Sequence, residues 1–293
     1  MKNLFCYLLL IMSMFLFTAC PSDDGDEDEK IDQVSSKSSN DYYLIYKIKE
    51  TSLVRTVTNK IETQYLDYEF KYDDLKRIKS FYYGSHYFQY EYEGNTVNLY
   101  DNGIKRFIAQ LDNKGRIIHI FNASLQKYAD IEYNSNGCLS KYNHISSAVS
   151  PYNWETIFTW TNEENIETID NIGHQTNGNA YSFLKSDYKM GGELNNANID
   201  LNNFIGYEDY ESIENLFLPV FAPFDFYGNR SRHLISYALK PSGLYLDNYK
   251  ITRDSGGRIT KISYQSIDSG SNRVYIDHEI NISWIVVAGT TDR

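Results

Sequence analysis

The amino-acid sequence predicts an all-β protein, a long antiparallel meander of hairpins that curls into a barrel or half-barrel. Three observations lead to this prediction. Aromatic and β-branched residues alternate with polar ones along many short segments, turn motifs of one type recur along the chain, and a single segment breaks the rhythm. We expect one β-rich domain over residues 41–293, because this length can form one large domain.

Alternation is clearest where tyrosine and phenylalanine are densest. Tyr68, Phe70 and Tyr72 fall on one side of an extended chain, and the charged residues between them fall on the other. The same period of two runs through residues 88–92 and 259–264. Since successive side chains of a strand point to opposite faces, these segments are predicted to be strands.

The turn motif is best seen in residues 112–116, Asp-Asn-Lys-Gly-Arg. Asp112 can bond the backbone two residues on, and Gly115 can supply the positive φ that closes a hairpin. Related motifs begin at Asp73, Asn134, Thr161 and Asp254. We interpret the motif as scaffolding, and a meander this long must curl or close because an open sheet leaves exposed edges.

A scaffolding role makes the turn sensitive to backbone geometry. Gly115→Val should destabilise the protein by roughly 1–2 kcal/mol or more, because a β-branched residue is costly at positive φ. Asp112→Asn should be nearly silent, since Asn makes the same turn bond. Arg116→Lys should be mild if Arg116 only lies along the sheet.

One insertion, near residues 204–232, interrupts the hairpins. Apolar residues at spacings of three and four, such as Ile213, Leu216 and Phe217, predict a short helix over about 207–218. An apolar loop follows. The insertion either caps one end of a barrel or is a connection that buries its own aromatic side chains.

The N-terminus predicts secretion and lipid anchoring. Residues 1–19 have one Lys, an apolar run and a small-residue cleavage site, which is the layout of a signal peptide. Ala19-Cys20 resembles a bacterial lipobox, so Cys20 is predicted to carry lipid. Residues 20–40 are acidic and then Ser-rich, which predicts a solvated tether. An acidic run after such a Cys resembles the surface-export signal of Bacteroidota lipoproteins.

Composition and motifs exclude several functions. The isoelectric point near 5 and the lack of a basic patch exclude nucleic-acid binding. Of the three cysteines, Cys6 leaves with the signal and Cys20 takes lipid, so Cys138 is expected to be a buried hydrophobe without a disulfide. The six histidines show no metal-binding spacing, and no nucleophile or phosphate-binding motif is present. We therefore predict no metal, no cofactor and no enzymatic activity.

The aromatic residues supply the candidate binding residues. Tyr82 and Tyr83 are consecutive, so one of them must point outward from a strand. Trp154 and Trp160 are an even number of residues apart and can share a face. We expect these four residues to face a glycan, peptide or protein ligand. Two alternatives stay open: an envelope hydrolase with a glycosidase-like carboxylate pair, and a carrier that encloses a hydrophobic ligand in a barrel lumen.

The turns resemble YD repeats, the Tyr-Asp-x-x-Gly-Arg hairpins of large secreted shells. Together with the lipobox and the acidic tether, they resemble a Bacteroidota surface-lipoprotein family of unknown function with a porin-like β fold. The resemblance implies a lipid-anchored, surface-exposed outer-membrane protein and brings no catalytic residues. Strands with one charged face favour a water-soluble barrel, with aromatic residues inside and charges outside.

Overall fold

The computed structural model describes residues 42–56, 58, 60–124, 126–145, 153–174, 179–205 and 221–287. The strands are β1 Tyr42–Arg55, β2 Ile61–Tyr72, β3 Ile78–Tyr83, β4 His86–Glu93, β5 Thr96–Asp101, β6 Ile104–Leu111, β7 Ile117–Asn122, β8 Lys127–Tyr133, β9 Leu139–Ile145, β10 Asn153–Trp160, β11 Ile166–His174, β12 Ala180–Leu194, β13 His233–Leu239, β14 Leu244–Arg253, β15 Ile259–Asp268 and β16 Val274–Val287.

The described strands form one antiparallel meander that closes on itself. Each strand pairs with its neighbour in sequence, and β1 pairs with β16 to complete the barrel. The predicted all-β meander is therefore confirmed, and the sheet is a closed barrel of sixteen strands rather than a half-barrel. Among the described residues, no helix has the length and apolar character needed to cross a membrane.

Side chains alternate between the inside and the outside of the barrel. On β4, Phe88 and Tyr90 are buried, whereas Glu91 and Glu93 are exposed. The buried set lines the interior, since it packs against the inward residues of neighbouring strands. The period of two in the sequence thus assigns each residue to its side of the wall.

The outer wall is charged and partly ion-paired. Lys261 of β15 lies 2.6 Å from Glu279 of β16, and Lys141 of β9 pairs with Glu155 of β10. Such pairs are solvated and contribute little to stability. Their position shows that the outward face of these strands is polar.

The recurrent turns all lie at one end of the barrel, which we call the turn end. Every even-numbered strand is followed by a connection at this end, because the strands alternate in direction. The turn motifs there are residues 73–77, 112–116, 134–138, 161–165 and 254–258. Tyr42, where the described chain begins, lies at the same end beside Lys76. The opposite end is called the far end.

Asp112 organises its turn through both carboxylate oxygens. Oδ1 accepts hydrogen bonds from the backbone N–H groups of Lys114 (2.8 Å) and Arg116 (2.9 Å). Oδ2 accepts from Arg116 Nε (2.8 Å) and Nη2 (2.6 Å). Burial alone would raise the pKa of Asp112, but these hydrogen bonds hold it below its ordinary value. Gly115 has φ +80°, which confirms the predicted positive φ.

Arg116 does more than lie along the sheet. Its guanidinium lies 4.2 Å from the ring centroid of Tyr133 at the end of β8. The Tyr133 hydroxyl donates to the carbonyl of Ile117 at 2.6 Å, and burial raises the pKa of this phenol, which keeps its proton available. Arg77 and Tyr92 repeat the same arrangement, with a stacking distance of 3.8 Å. The turn motif is therefore a brace between neighbouring hairpins.

This geometry changes the expectation for Asp112→Asn, because an amide N–H₂ in place of Oδ2 would face the N–H donors of Arg116. We expect a loss of about 1–2 kcal/mol in the free energy of unfolding, measured by urea denaturation. Arg116→Lys should also be costly, since a lysine replaces neither the fork nor the stacking.

The matched control is Asn134→Asp, because this turn holds Cys138 at the position that Arg116 occupies in the turn of Asp112. That variant should change stability little. Equal losses in the Asp112 and Asn134 variants would contradict the bracing role of Arg116.

The insertion between β12 and β13 fills the turn end from inside. We call its described residues, 195–205 and 221–232, the plug. It contains a four-residue helix, α1 Asn202–Ile205, and a 3₁₀ turn, Ala222–Phe224. Phe221 is fully buried against Tyr90 and Phe107 of the wall. The predicted helix over 207–218 lies outside the described residues.

The plug is hydrogen-bonded to the wall where strands begin after a turn. The N–H of Ile117 donates to the carbonyl of Phe226 at 2.8 Å, and the N–H of Ile166 donates to Ser231 Oγ at 3.0 Å. Register shifts beside the turns, for example between Gln110 and Leu111, interrupt strand pairing there. The plug thus supplies hydrogen-bond acceptors for backbone N–H groups that are not paired between strands at the bulges.

Asp200 makes the plug sensitive to pH. Its buried carboxylate accepts from Asn195 Nδ2 (2.6 Å) and from the N–H of Asn202 (3.0 Å), and burial raises its pKa to about 6. The folded protein therefore binds this proton more tightly than the unfolded chain. The stabilisation is complete below about pH 4 and is lost as pH rises through about 6.

We therefore expect Asp200→Asn to raise the melting temperature at pH 7. The melting temperature of the wild type should increase when the pH is lowered from 7 to 5, and this increase should be smaller in Asp200→Asn. Asp254→Asn is the control of opposite sign, because the side-chain hydrogen bond from Arg258 lowers the pKa of Asp254. It should lose stability at pH 7. Parallel pH profiles for the wild type and Asp200→Asn would contradict the assignment.

Candidate ligand-binding site

Two side chains on the inward face of the strands are accessible at the far end. His86 is the first residue of β4 and lies on the same inward face of the strand as Phe88, yet 49% of its side-chain surface is accessible. Gln64 of β2, on the inward face of Tyr68 and Phe70, is exposed as well. The plug therefore fills the barrel at the turn end, and inward-face side chains of β2 and β4 are accessible at the far end.

We define the rim site as Tyr68, Tyr83, His86, Asp101 and Arg106, which lie on β2–β6. The Asp101 carboxylate accepts from His86 Nδ1 at 3.0 Å and lies 3.6 Å from Arg106 Nε. Since a carboxylate only accepts, His86 carries its proton on Nδ1. His86 Nε2 and Arg106 Nη2 are then without a partner among the described residues.

Aromatic rings connect this polar group to the plug. The rings of Tyr68 and Tyr83 stack with centroids 5.1 Å apart, and Tyr83 lies 6.5 Å from the ring of His86. Tyr68 also meets Phe204 of the plug edge-on at 5.0 Å. The inward faces of β2, β3 and β4 supply these rings because aromatic residues occupy every second position there.

A second histidine on the inner wall is fully engaged. His278 Nδ1 lies 3.0 Å from Ser52 Oγ, and Nε2 lies 2.9 Å from Ser266 Oγ. Glu50 is 3.6 Å from Nδ1, and the ring of Tyr264 stacks on the imidazole at 4.4 Å. Both serines and the histidine are buried. This resembles a serine–histidine–acid arrangement in composition only, because neither hydroxyl is accessible to a substrate.

The structure separates the two consecutive tyrosines that sequence singled out. Tyr83 points inward and belongs to the rim site. Tyr82 points outward, is 41% exposed and stacks on Tyr87 with centroids 4.4 Å apart. One side chain of the pair therefore faces the interior and the other the outer wall.

The other candidate residues are placed as follows. Trp160 is half-buried, and its Nε1–H donates to the carbonyl of Leu139 at 2.6 Å, so this indole braces the turn end. Trp154 is on β10, where its backbone pairs with His144 of β9 and with Gly173 of β11. Its side chain lies outside the described part of the structure. Cys20 also lies outside it.

Cys138 is buried, and burial raises the pKa of its thiol to about 11. No thiolate is therefore available near neutral pH. Within the described part of the chain, no three His, Cys, Asp or Glu side chains are grouped closely enough to hold a metal ion.

Sequence reasoning missed His86, Asp101 and Arg106. They come from three different strands, and only the closed register of β4, β5 and β6 brings them together. One signal in the sequence was that His86 lies two residues before Phe88. Strand alternation then places an ionisable residue on an apolar face.

These features define a class of protein, a closed sixteen-stranded antiparallel barrel with an internal plug and with ion pairs on its outer wall. The fold is similar to a porin-like protein from Bacteroides uniformis ATCC 8492, with a TM-score of 0.60, 12% identity, and coverage of 82% of this chain and 98% of that chain. It is also similar to a porin-like protein from Bacteroides vulgatus ATCC 8482, with a TM-score of 0.54, 12% identity, and coverage of 83% and 98%. At this identity the likeness shows the fold alone. No family model matches the chain, and no curated protein does.

Proposed function

We propose that the protein is a non-catalytic lipoprotein of the outer-membrane surface that binds a carbohydrate at the rim site. The observation that carries this proposal is that His86 and Arg106 both contact Asp101, with 49% and 37% of their side chains exposed, while His86 Nε2 and Arg106 Nη2 have no partner among the described residues beside the Tyr68–Tyr83 stack. Sugar hydroxyls both donate and accept, so they suit one acceptor and one donor held in fixed positions.

The charged outer wall supports a water-exposed barrel. A barrel that spans a bilayer needs a continuous apolar band on its outer face, and ion pairs such as Lys261–Glu279 occupy that face here. The predicted tether joins the barrel at Tyr42, at the turn end. Anchoring through Cys20 therefore leaves the rim site at the end opposite the point of attachment.

The two alternatives receive less support from the rim site. The only carboxylate of the rim site, Asp101, is committed to His86 and Arg106, which does not favour a glycosidase pair. Gln64, His86 and Arg106 give the accessible wall a polar character, which does not favour a hydrophobic cargo.

The experiment is a glycan array on the chain from Pro21, which lacks the lipid-carrying Cys20, followed by calorimetry with any glycan that binds. His86→Ala and Arg106→Ala should each weaken binding by roughly tenfold or more. His119→Ala is the matched control, because His119 also pairs with a carboxylate (Asp130, 2.7 Å) but on the outer wall. Equal losses for His86 and His119 variants, or turnover of the bound glycan, would contradict the proposal.

Lipidation is tested separately. Cys20→Ala should abolish incorporation of labelled palmitate and release the chain from the membrane fraction. Cys138→Ala should keep the label, because Cys138 is buried in the barrel. Label that persists on the Cys20 variant would contradict the anchor.

A further inference from the structure

The outer wall of β1–β6 carries tyrosine rings with lysine ammonium groups over them. Three such pairs lie on the outward faces of β1–β6, with distances from Nζ to the ring centroid of 5.3 Å (Lys49–Tyr65), 5.7 Å (Lys71–Tyr82) and 5.4 Å (Lys105–Tyr100). We call these six residues and Tyr87 the lysine–tyrosine strip.

The strip faces outward, away from the rim site. Tyr82 and Tyr87 pair across β3 and β4, on the side opposite the buried Phe81 and Phe88. Tyr100 alternates with buried Leu99 in the same way. Large, exposed aromatic side chains grouped on a sheet face are typical of contact surfaces.

The charged and hydroxyl groups of the strip form no ion pair or hydrogen bond with the described part of the protein. Among the described residues, its three lysines take part in no ion pair and its four tyrosine hydroxyls in no hydrogen bond. Elsewhere on the outer wall, Lys141 and Lys261 are both paired with glutamates. The strip therefore presents free ammonium and phenol donors at several neighbouring points.

We propose that the lysine–tyrosine strip binds an acidic polysaccharide, one whose sugars carry carboxylate or sulfate groups. Anionic oxygens are the acceptors that match ammonium and phenol donors. The rings restrict the lysine side chains, so less conformational entropy is lost on binding. A strip that extends across six strands fits an extended polymer rather than a compact ligand. This site does not depend on the rim site.

Two acids share the same outward face of β2, Asp67 and Glu69, and Glu69 pairs directly with Tyr82. Their negative charges repel an anionic ligand. Removing one of these charges therefore tests whether the ligand is an anion. Removing the charge of Glu69 should strengthen binding of a polyanion and leave binding of a neutral glycan unchanged.

The experiment compares dextran sulfate with dextran on the chain from Pro21, which lacks the lipid-carrying Cys20, at low ionic strength, using calorimetry. We expect binding of dextran sulfate only. Lys71→Glu and Lys105→Glu should each lower the affinity by roughly tenfold. Glu69→Gln should raise it several-fold, and added salt should weaken it.

Lys250→Glu is the matched control, because Lys250 is an exposed outer-wall lysine on β14 that stacks on no described ring. It should change the affinity little. Equal binding of dextran, an equal loss in Lys250→Glu, or weaker binding in Glu69→Gln would each overturn the proposal. Melting curves of all variants should coincide with the wild type, because the altered side chains are on the surface.

Discussion

Phe221→Ala is expected to lower the free energy of unfolding by about 3–5 kcal/mol. Phe221 is fully buried in the plug, and its ring lies 5.9 Å from Tyr90, 6.2 Å from Phe107 and 5.3 Å from Phe226, centroid to centroid. Truncation leaves a cavity between plug and wall that these rings cannot close. Urea denaturation followed by circular dichroism measures the loss.

Tyr82→Ala is the control for Phe221→Ala, since it removes a ring of similar size from the outer wall. It should cost about 1 kcal/mol or less. If the two variants unfold at the same urea concentration, the plug is not part of the core that stabilises the barrel.

Gly228→Ala is expected to cost more than about 3 kcal/mol. Gly228 has φ +79°, and a Cβ there would lie 2.2 Å from the carbonyl oxygen of Gly137 in the turn before β9. Tyr133 and Arg116 also approach within 3.1 and 3.2 Å of the added atom. Because the nearest obstacle is backbone, the plug and the turn must separate.

Gly257→Ala isolates the backbone part of this effect. Gly257 has φ +78°, and no atom lies within 4 Å of an added Cβ. It should cost only about 1 kcal/mol, the penalty for a side chain at positive φ. Thermal melts of the two variants measure the difference. Equal melting temperatures would show that the close contact between Gly228 of the plug and the carbonyl of Gly137 does not contribute to stability.

The turn motif shows how far sequence reasoning extends. Residues 112–116 were predicted to be a scaffold with Gly115 at positive φ, and the structure confirms that φ. Arg116→Lys was expected to be mild on the condition that Arg116 only lies along the sheet, and the structure does not meet this condition. The stacking partner of Arg116, Tyr133, is on another hairpin, so the role of Arg116 depends on a contact between residues that are distant in sequence.

The candidate site follows the same division. Parity along β3 placed Tyr82 and Tyr83 on opposite sides of the wall, which sequence alone required. That His86, Asp101 and Arg106 meet at the rim depends on strand register and on the bulge between Leu99 and Tyr100. Register is set by pairing across strands, which a single sequence does not record.

By itself the sequence determined the all-β class, the hairpin meander and the side of the wall on which most residues lie. These features are local, because the period of two and the turn chemistry act within a few residues. Only the tertiary structure decided that β1 pairs with β16 to close the barrel, that the plug fills the turn end, and that inward-face side chains of β2 and β4 stay accessible at the far end. Those features depend on contacts between distant segments, whose free energy comes from burying the plug's apolar surface and from satisfying backbone groups at the bulges.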